Sequence, residues 1–105
     1  MHTITLADAT ITTESIGRDS ESRQQYRYAI TTASWQHTGT DIFSGVNAEA
    51  DEIEALTSLL SFLGACAESR AAGGGENSDL FPDAVGEWAE QNSDEIAIAA
   101  SDLEN

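Results

Sequence analysis

The sequence contains no lysine, and four arginines are the only permanent cations that oppose its 19 aspartate and glutamate residues. The formal net charge is −15 on 105 residues. A surface of this sign repels nucleic acid and anionic membranes, so we expect no direct binding to either. It favours a partner with a basic surface instead.

Cysteine and long apolar runs are also scarce. The single Cys66 excludes an internal disulfide and is typical of a reducing compartment. No apolar stretch approaches the length that crosses a bilayer, and residues 1–4 show no basic segment before an apolar run, so we expect no signal peptide. The length and the 40% apolar content predict one cytoplasmic domain over residues 1–105.

The acidic residues are unevenly distributed along the chain. Fourteen of the 19 follow Val46, where Arg70 is the one cation, whereas the first 46 residues carry five acids and three arginines. The second half is therefore the expected location of the functional surface.

The first half, residues 1–46, has the pattern of an antiparallel meander of three to four strands. Isoleucine, threonine and tyrosine alternate over residues 3–16 and 23–35, and the phase change at residues 7–9 predicts a bulge or a tight turn. A short edge strand is expected at residues 40–43.

The second half changes to a helical period. Residues 47–72 form the first predicted helix, with Asn47 as its N-cap and residues 73–75 as its end. Its apolar positions recur at steps of three and four and cover about half of its circumference. They are Ile53, Leu56, Leu60, Leu63 and Ala67, widened by Leu59, Phe62 and Cys66.

A Gly-rich, acidic loop at residues 73–81 precedes a second predicted helix over residues 82–104. Pro82 suits a first helical position, and the apolar stripe stays coherent to the C-terminal end, which favours one helix kinked near Asn92. The alternative is a new helix that begins at Ser93. The stripe consists of Val85, Trp88, Ala89, Ile96, Ala99 and Leu103.

These elements predict an α+β fold in which an antiparallel sheet packs against two C-terminal helices. The alternative is a helical hairpin attached to a less ordered β arm.

Two groups of acidic residues are the candidate partner-binding site. The first follows steps of four, three and four on the predicted second helix: Asp83, Glu87, Glu90 and Asp94. Like charges at this spacing weaken a helix, so packing alone does not explain them. The second group lies on the polar side of the first helix: Asp51, Glu54 and Glu68.

Two simpler interpretations compete with a binding site. Charge runs are usually solvated helix faces. Adaptation to high salt also produces acidic proteins, but it predicts acids over the whole surface, and the near-neutral first half argues against it.

The sequence shows no pattern for catalysis, a metal or a cofactor. His2, His37 and Cys66 lack zinc-ligand spacing, and Cys66 on an apolar helix face is expected to be a buried, inert thiol. Residues 76–79 offer oxygen ligands without the EF-hand pattern, which leaves cation binding there open. We therefore expect no enzyme activity, no cofactor and no metal site.

Two segments carry a resemblance. Residues 59–69 (LLSFLGACAES), and residues 75–82 (GENSDLFP) running on to Val85 and residues 87–89, resemble small acidic uncharacterised proteins of actinobacteria and their phages. The resemblance covers residues 40–104 and implies no activity or site residues. It implies an accessory protein of a phage or mobile element, a class in which acidic nucleic-acid mimics are common.

The functional prediction is a non-enzymatic binding protein that occupies a basic surface of a host protein, with a nucleic-acid-binding site as the candidate target. The alternative is a structural or assembly module that binds through an apolar helix face, including Ile98 on the outer side of the last helix. The sequence leaves the oligomeric state open, and a homodimer is compatible with it.

Overall fold

A computed structural model describes residues 2–18, 24–40 and 52–104. The element order is four strands followed by helices, which confirms the α+β class. The chain forms two compact units, Met1–Leu59 and Leu60–Asn105. The first helix contributes its first two turns to one unit and the remainder to the other.

The first unit contains an antiparallel sheet with the strand order β1-β2-β3-β4. The strands are His2–Leu6, Ala9–Arg18, Gln24–Thr31 and Gln36–Gly39. Because the spatial order equals the chain order, the sheet is the predicted meander, with four strands.

The turn between β1 and β2 is the tight turn expected at residues 7–9. Leu6 pairs with Ala9, so two residues connect the strands, and Ala7 adopts a φ of 55°. Positive φ in a two-residue hairpin turn matches the twist of the flanking strands. A bulge occurs farther along, where the register shifts between Ser15 and Gly17.

Strand β3 ends earlier than the alternation over residues 23–35 predicts. Strand β3 ends at Thr31 because the Thr32 hydroxyl accepts hydrogen bonds from the backbone N–H groups of Ser34 and Trp35, both at 3.2 Å. Such side-chain bonds stabilise a turn in place of the sheet ladder. The next strand is Gln36–Gly39. Of the edge strand expected at residues 40–43, residues 41–43 lie outside the described chain.

One face of the sheet is buried, as the alternation predicts. Ile11 pairs with Ile30 and Thr13 pairs with Tyr28 across β2 and β3. The buried residues of the first unit come from the strands and from the start of the first helix. They are Leu6, Ala9, Ile11, Thr13, Tyr26, Tyr28, Ile30, Ala55, Leu56 and Leu59.

The helix start is attached to β2 by two hydrogen bonds. The hydroxyl of Thr13, which is fully buried, donates to the backbone carbonyl of Glu52 at 2.7 Å. The backbone N–H of Ser15 donates to the Glu52 carboxylate at 2.6 Å. A buried hydroxyl is costly unless it is hydrogen-bonded, and here the helix supplies its partner.

Three α-helices follow, rather than the two that were predicted. Helix α1 is Glu52–Ala71, α2 is Asp83–Gln91 and α3 is Ser93–Glu104, and a 3-10 helix at Glu76–Asp79 precedes α2. The predicted start of the first helix and its cap at Asn47 lie outside the described residues.

The single helix predicted over residues 82–104 is divided at Asn92, so the alternative start at Ser93 is correct. The Asn92 side-chain amide donates to the Trp88 carbonyl at 2.9 Å, and its backbone N–H donates to the same carbonyl at 3.1 Å. The Asn92 carbonyl then accepts the N–H of Ile96 at 3.0 Å. Asn92 therefore ends α2 and begins α3. Its hydrogen bonds divide the helix although the apolar stripe continues through this position.

The core of the second unit confirms most of both predicted apolar stripes. Its buried residues are Leu60, Leu63, Cys66, Ala67, Phe81, Val85, Trp88, Ala89 and Ile96. Ile53, predicted on the buried face of the first helix, is instead 41% exposed.

Candidate functional site

Three of the predicted partner-binding acids lie on one side of α2. Asp83, Glu87 and Glu90 follow steps of four and three, which places them within about 60° of one another around the helix. Val85 and Trp88 are buried on the other side. The helix starts immediately after Pro82, whose carbonyl accepts the N–H of Gly86 at 3.0 Å.

Two of these three acids bind the only cation of the second unit. The Arg70 Nε donates a hydrogen bond to the Glu90 carboxylate at 2.7 Å, and Arg70 Nη1 lies 3.5 Å from the Asp83 carboxylate. The hydrogen bond to Glu90 raises the pKa of the Arg70 guanidinium. Asp83 and Glu90 are thus partly neutralised within the protein, which the sequence pattern did not predict.

Gly86 makes this arrangement sterically possible. A Cβ atom at Gly86 would lie 2.8 Å from Arg70 Cδ and 2.9 Å from Arg70 Nε. Gly86 is buried in the interior of α2, where glycine weakens a helix relative to alanine. The absence of a side chain there allows the Arg70 side chain to lie directly against the α2 backbone.

The end of α1 places Arg70 beside α2. The N–H of Gly74 donates to the Ser69 carbonyl at 2.8 Å and that of Gly73 donates to the Arg70 carbonyl at 3.1 Å, which is a Schellman motif. Gly73 has a φ of 97°, as the residue after a helix cap in this motif requires. The expected helix end at residues 73–75 is confirmed.

An open cavity of about 350 Å³ lies beside the arginine. It is lined by Arg70, Gly73, Gly74, Ser78, Asp79 and Glu90. One cation, two carboxylates and a hydroxyl therefore meet at a surface that is open to solvent.

Asp94, the fourth predicted acid, belongs to a different helix. The division at Asn92 places it in the first turn of α3, so the four acids do not form one continuous row. Asp94 belongs instead to a face of α3 that is centred on Ile98, the most exposed large hydrophobic residue among those described, at 61%.

Helical geometry defines this α3 acidic face. Asp94 and Asp102 lie four residues on either side of Ile98, and Glu95 lies three residues before it, so all three flank Ile98 within about 60°. Ile96 lies on the opposite side and is buried. The α3 acidic face is thus an apolar side chain framed by three exposed carboxylates: Asp94, Glu95, Ile98 and Asp102.

These exposed acids differ from Glu90 in their partners. Glu87 on α2 and the three carboxylates of the α3 acidic face form no ion pair with any residue that the structure describes. Because Arg70 is engaged by Glu90 and Asp83, the second unit presents the other acids without a neutralising cation of its own among residues 60–104.

The second predicted group of acids is not brought together as a compact cluster. Asp51 lies outside the described residues. Glu54 and Glu68 are both exposed on α1, but about four turns of helix separate them.

The outward face of the sheet carries little charge. Glu14 and Arg27 face each other across β2 and β3 and form an ion pair of 3.0 Å. Most of the other exposed residues of this face are uncharged: Thr3, Thr5, Thr10, Thr31, Gln36 and Thr38. Adaptation to high salt predicts acids over all surfaces, so this face argues against it.

Burial shifts the pKa of two titratable groups. Burial raises the pKa of the Cys66 thiol, which donates a hydrogen bond to the Ser78 carbonyl at 3.7 Å. Partial burial lowers the pKa of His37, whose Nε2 lies 2.9 Å from the Tyr28 hydroxyl. Cys66 is buried, as expected from its position on the apolar face of the helix.

The described parts of the chain contain neither a metal-binding cluster nor a membrane-spanning helix. Within residues 2–18, 24–40 and 52–104, no group of three or more His, Cys, Asp or Glu residues could hold a metal ion. No helix in these ranges is long and apolar enough to cross a membrane.

Comparisons with known proteins give no relative. No protein-family model matches the chain, and no curated protein or solved structure matches it either. The resemblance to actinobacterial and phage proteins therefore stays a prediction.

Sequence reasoning missed the contact between Arg70 and Gly86. Two signals were present: a glycine inside an otherwise helical segment, and a single cation among ten acids in residues 60–105. A glycine in a helix interior usually has a packing reason, but the sequence alone does not identify the side chain that packs there.

Proposed function

We propose that this protein is a non-enzymatic binding protein whose α3 acidic face, together with Glu87, occupies a basic surface of another protein. One observation carries the proposal. The single cation of the second unit is already bound to Glu90 and Asp83, and the remaining exposed carboxylates of α2 and α3 have no ion pair among the described residues.

The α3 acidic face also has the arrangement of a protein-binding surface. Ile98 is exposed at its centre, and three carboxylates surround it. Protein interfaces commonly combine a central apolar contact with a polar rim, and complementary charge accelerates association. A partner that fits this face presents an apolar pocket or patch bordered by arginine or lysine.

The candidate partner is a nucleic-acid-binding protein of a host, and the protein acts as an accessory factor of a phage or mobile element. Duplex DNA carries one charge per about 1.7 Å of its axis, whereas Glu95 and Asp102 are separated by about 10 Å along α3. The α3 acidic face alone therefore imitates only part of a duplex. Glu87 on α2 and Glu68 on α1 supply further carboxylates in the same unit.

The proposal is tested by capture from a nuclease-treated actinobacterial lysate, with elution by a salt series. The test variant replaces four carboxylates by their amides: Glu87→Gln, Asp94→Asn, Glu95→Gln and Asp102→Asn. The control changes the net charge by the same amount on the outward face of the sheet: Thr5→Lys, Thr10→Lys, Thr31→Lys and Thr38→Lys.

We expect the wild-type protein and the control to retain a basic protein that the test variant does not retain. Duplex DNA added to the lysate should compete for that protein, because both would occupy its nucleic-acid site. Equal loss from the test variant and the control would show that only bulk charge matters. If the test variant still retains the basic protein, these acids form only a solvated helix face and do not bind the partner.

Assembly through an apolar helix face is the second candidate, and the exposure of Ile98 favours it. Binding of this kind depends on Ile98 and not on salt. Replacement of Ile98 by serine should then abolish capture, while the amide variant and molar salt leave it intact.

A further inference from the structure

The Arg70 side chain occupies a defined site on α2, which we call the guanidinium seat and define by Asp83, Gly86 and Glu90. Arg70 reaches this seat from the last turn of α1. Its Nε donates to Glu90 at 2.7 Å and its Nη1 lies 3.5 Å from Asp83. The Arg70 Cδ and Nε atoms lie 2.8 and 2.9 Å from the position that a Cβ atom would take at Gly86.

The geometry of the seat suits a guanidinium group better than an ammonium group. Two nitrogens of one planar group bind carboxylates that lie seven residues apart on α2, and the stem of that group passes over Gly86. A lysine side chain has a single nitrogen and no counterpart of Nε, so it cannot make both contacts in this position. Arginine and lysine are therefore not equivalent ligands of the seat.

The seat is open to solvent. The Asp83 side chain is 99% exposed, that of Glu90 is 35% exposed and that of Arg70 is 23% exposed. The open cavity of about 350 Å³ adjoins Arg70 and Glu90. A guanidinium group from outside can therefore reach these carboxylates from solvent, and departure of Arg70 would uncover only the Gly86 backbone against which it lies.

We propose that the guanidinium seat binds an arginine side chain of the basic partner, and that Arg70 is an intramolecular competitor that leaves the seat when the partner binds. This inference rests on the proposed function, because it assumes a basic partner. It adds the chemical group that is recognised and an autoinhibitory contact. In the free protein Arg70 fills the seat and lowers its affinity for other cations, so only a partner that offers arginine displaces it efficiently.

The first test compares two arginine variants that remove the same charge. Arg70→Gln empties the seat, whereas Arg27→Gln breaks the exposed ion pair with Glu14 on the sheet. The probes are a peptide of consecutive arginines and a lysine peptide of the same length, and the dissociation constants are measured at one ionic strength. We expect Arg70→Gln to tighten binding of the arginine peptide about threefold more than Arg27→Gln does, since an exposed ion pair is worth a small factor in affinity. The lysine peptide should respond equally to both variants.

The second test leaves the charge unchanged. Gly86→Ala places a methyl group where the guanidinium stem passes, so it should remove the preference for the arginine peptide over the lysine peptide. Gly64→Ala serves as the control, because a Cβ at Gly64 meets no atom within 4 Å. A Gly86→Ala variant that keeps the same preference as wild type would overturn the inference.

The third test uses the wild-type protein, so it does not depend on whether a variant folds. The Nε–H signal of Arg70 in a nitrogen-correlated NMR spectrum should shift on addition of the arginine peptide and should exchange faster with water. If the arginine peptide binds and this signal does not move, Arg70 stays on Glu90 and Asp83 and serves only to stabilise the fold. The inference is then wrong, while the proposed function stands. If neither peptide binds to the wild-type protein and capture finds no basic protein, the proposed function itself fails.

Discussion

Arg70 and Gly86 are in direct contact: a Cβ atom at Gly86 would lie 2.8 Å from the Arg70 Cδ atom. The end of α1 is thereby held against the middle of α2 by the one cation of the second unit. Glu90 and Asp83, one turn to either side of Gly86, bind the guanidinium. Three positions on α2 and one on α1 therefore act together, and each can be tested.

Replacement of Gly86 by alanine should destabilise the protein, although alanine favours a helix. Ordinarily Gly→Ala in a helix interior stabilises by about 1 kcal/mol. At Gly86 the new methyl group displaces Arg70 from Glu90, so the expected sign is reversed. Thermal unfolding followed by circular dichroism measures the effect.

Gly64 in α1 provides the matched control for that substitution. A Cβ there meets no atom within 4 Å, so Gly64→Ala should stabilise by about 1 kcal/mol. If Gly86→Ala raises the melting temperature as much as Gly64→Ala does, the Arg70 side chain does not lie against α2.

Thr13→Val should destabilise the first unit by about 1 kcal/mol. The substitution removes the hydroxyl that donates to the Glu52 carbonyl from a fully buried position while keeping the shape of the side chain. Chemical denaturation measures the free energy of unfolding. Thr12→Val is the control, because the Thr12 hydroxyl makes an exposed contact, 3.3 Å from the Thr3 hydroxyl. Equal effects of the two substitutions would contradict the assigned role of Thr13.

The stability should depend on pH through His37. Partial burial lowers the pKa of His37 in the folded protein, so the unfolded chain binds a proton more readily. Stability is therefore retained above the unfolded pKa of about 6.5 and decreases as the pH falls below it. His37→Gln, which can still hydrogen-bond to Tyr28, should flatten the curve between about pH 7 and pH 5.5, where most carboxylates stay ionised. An unchanged slope in this variant would assign the pH dependence to other groups.

The general architecture was predictable from the sequence because its signals are local and repeated. Alternation at Tyr26, Tyr28 and Ile30 identified the buried face of a strand, and the step pattern at Leu56, Leu60 and Leu63 identified the buried face of α1. These patterns depend only on the periods of the two structures, and several residues report the same period.

The details that failed depend on single side chains. Hydrogen bonds to the Thr32 hydroxyl end β3 before the alternating pattern ends. The Asn92 amide likewise divides the last helix within a continuous apolar stripe. For the site, the sequence identified acids on α2 but not their neutralisation by Arg70. That contact joins residues far apart in the chain, and no periodicity encodes it.

The melting temperature should rise between low and molar NaCl. A net charge of −15 opposes compaction in dilute buffer, and the Debye length decreases from about 10 Å at 0.1 M to about 3 Å at 1 M salt. Salt also weakens the contacts of Arg70, but ten acids against one cation in residues 60–105 make repulsion the larger effect. The four-amide variant should show a smaller rise. A flat or falling curve would mean that the acids are already compensated.

The location of the binding surface is tested most directly by NMR mapping of the backbone amides during titration with the arginine peptide at physiological ionic strength. The proposed function predicts that the largest shifts fall on α3 around Ile98 and on Glu87, and that the outward face of the sheet changes little. Displacement of Arg70 by the peptide would add a shift at the guanidinium seat. Shifts spread evenly over both units, or concentrated on the strands, would contradict the proposed function.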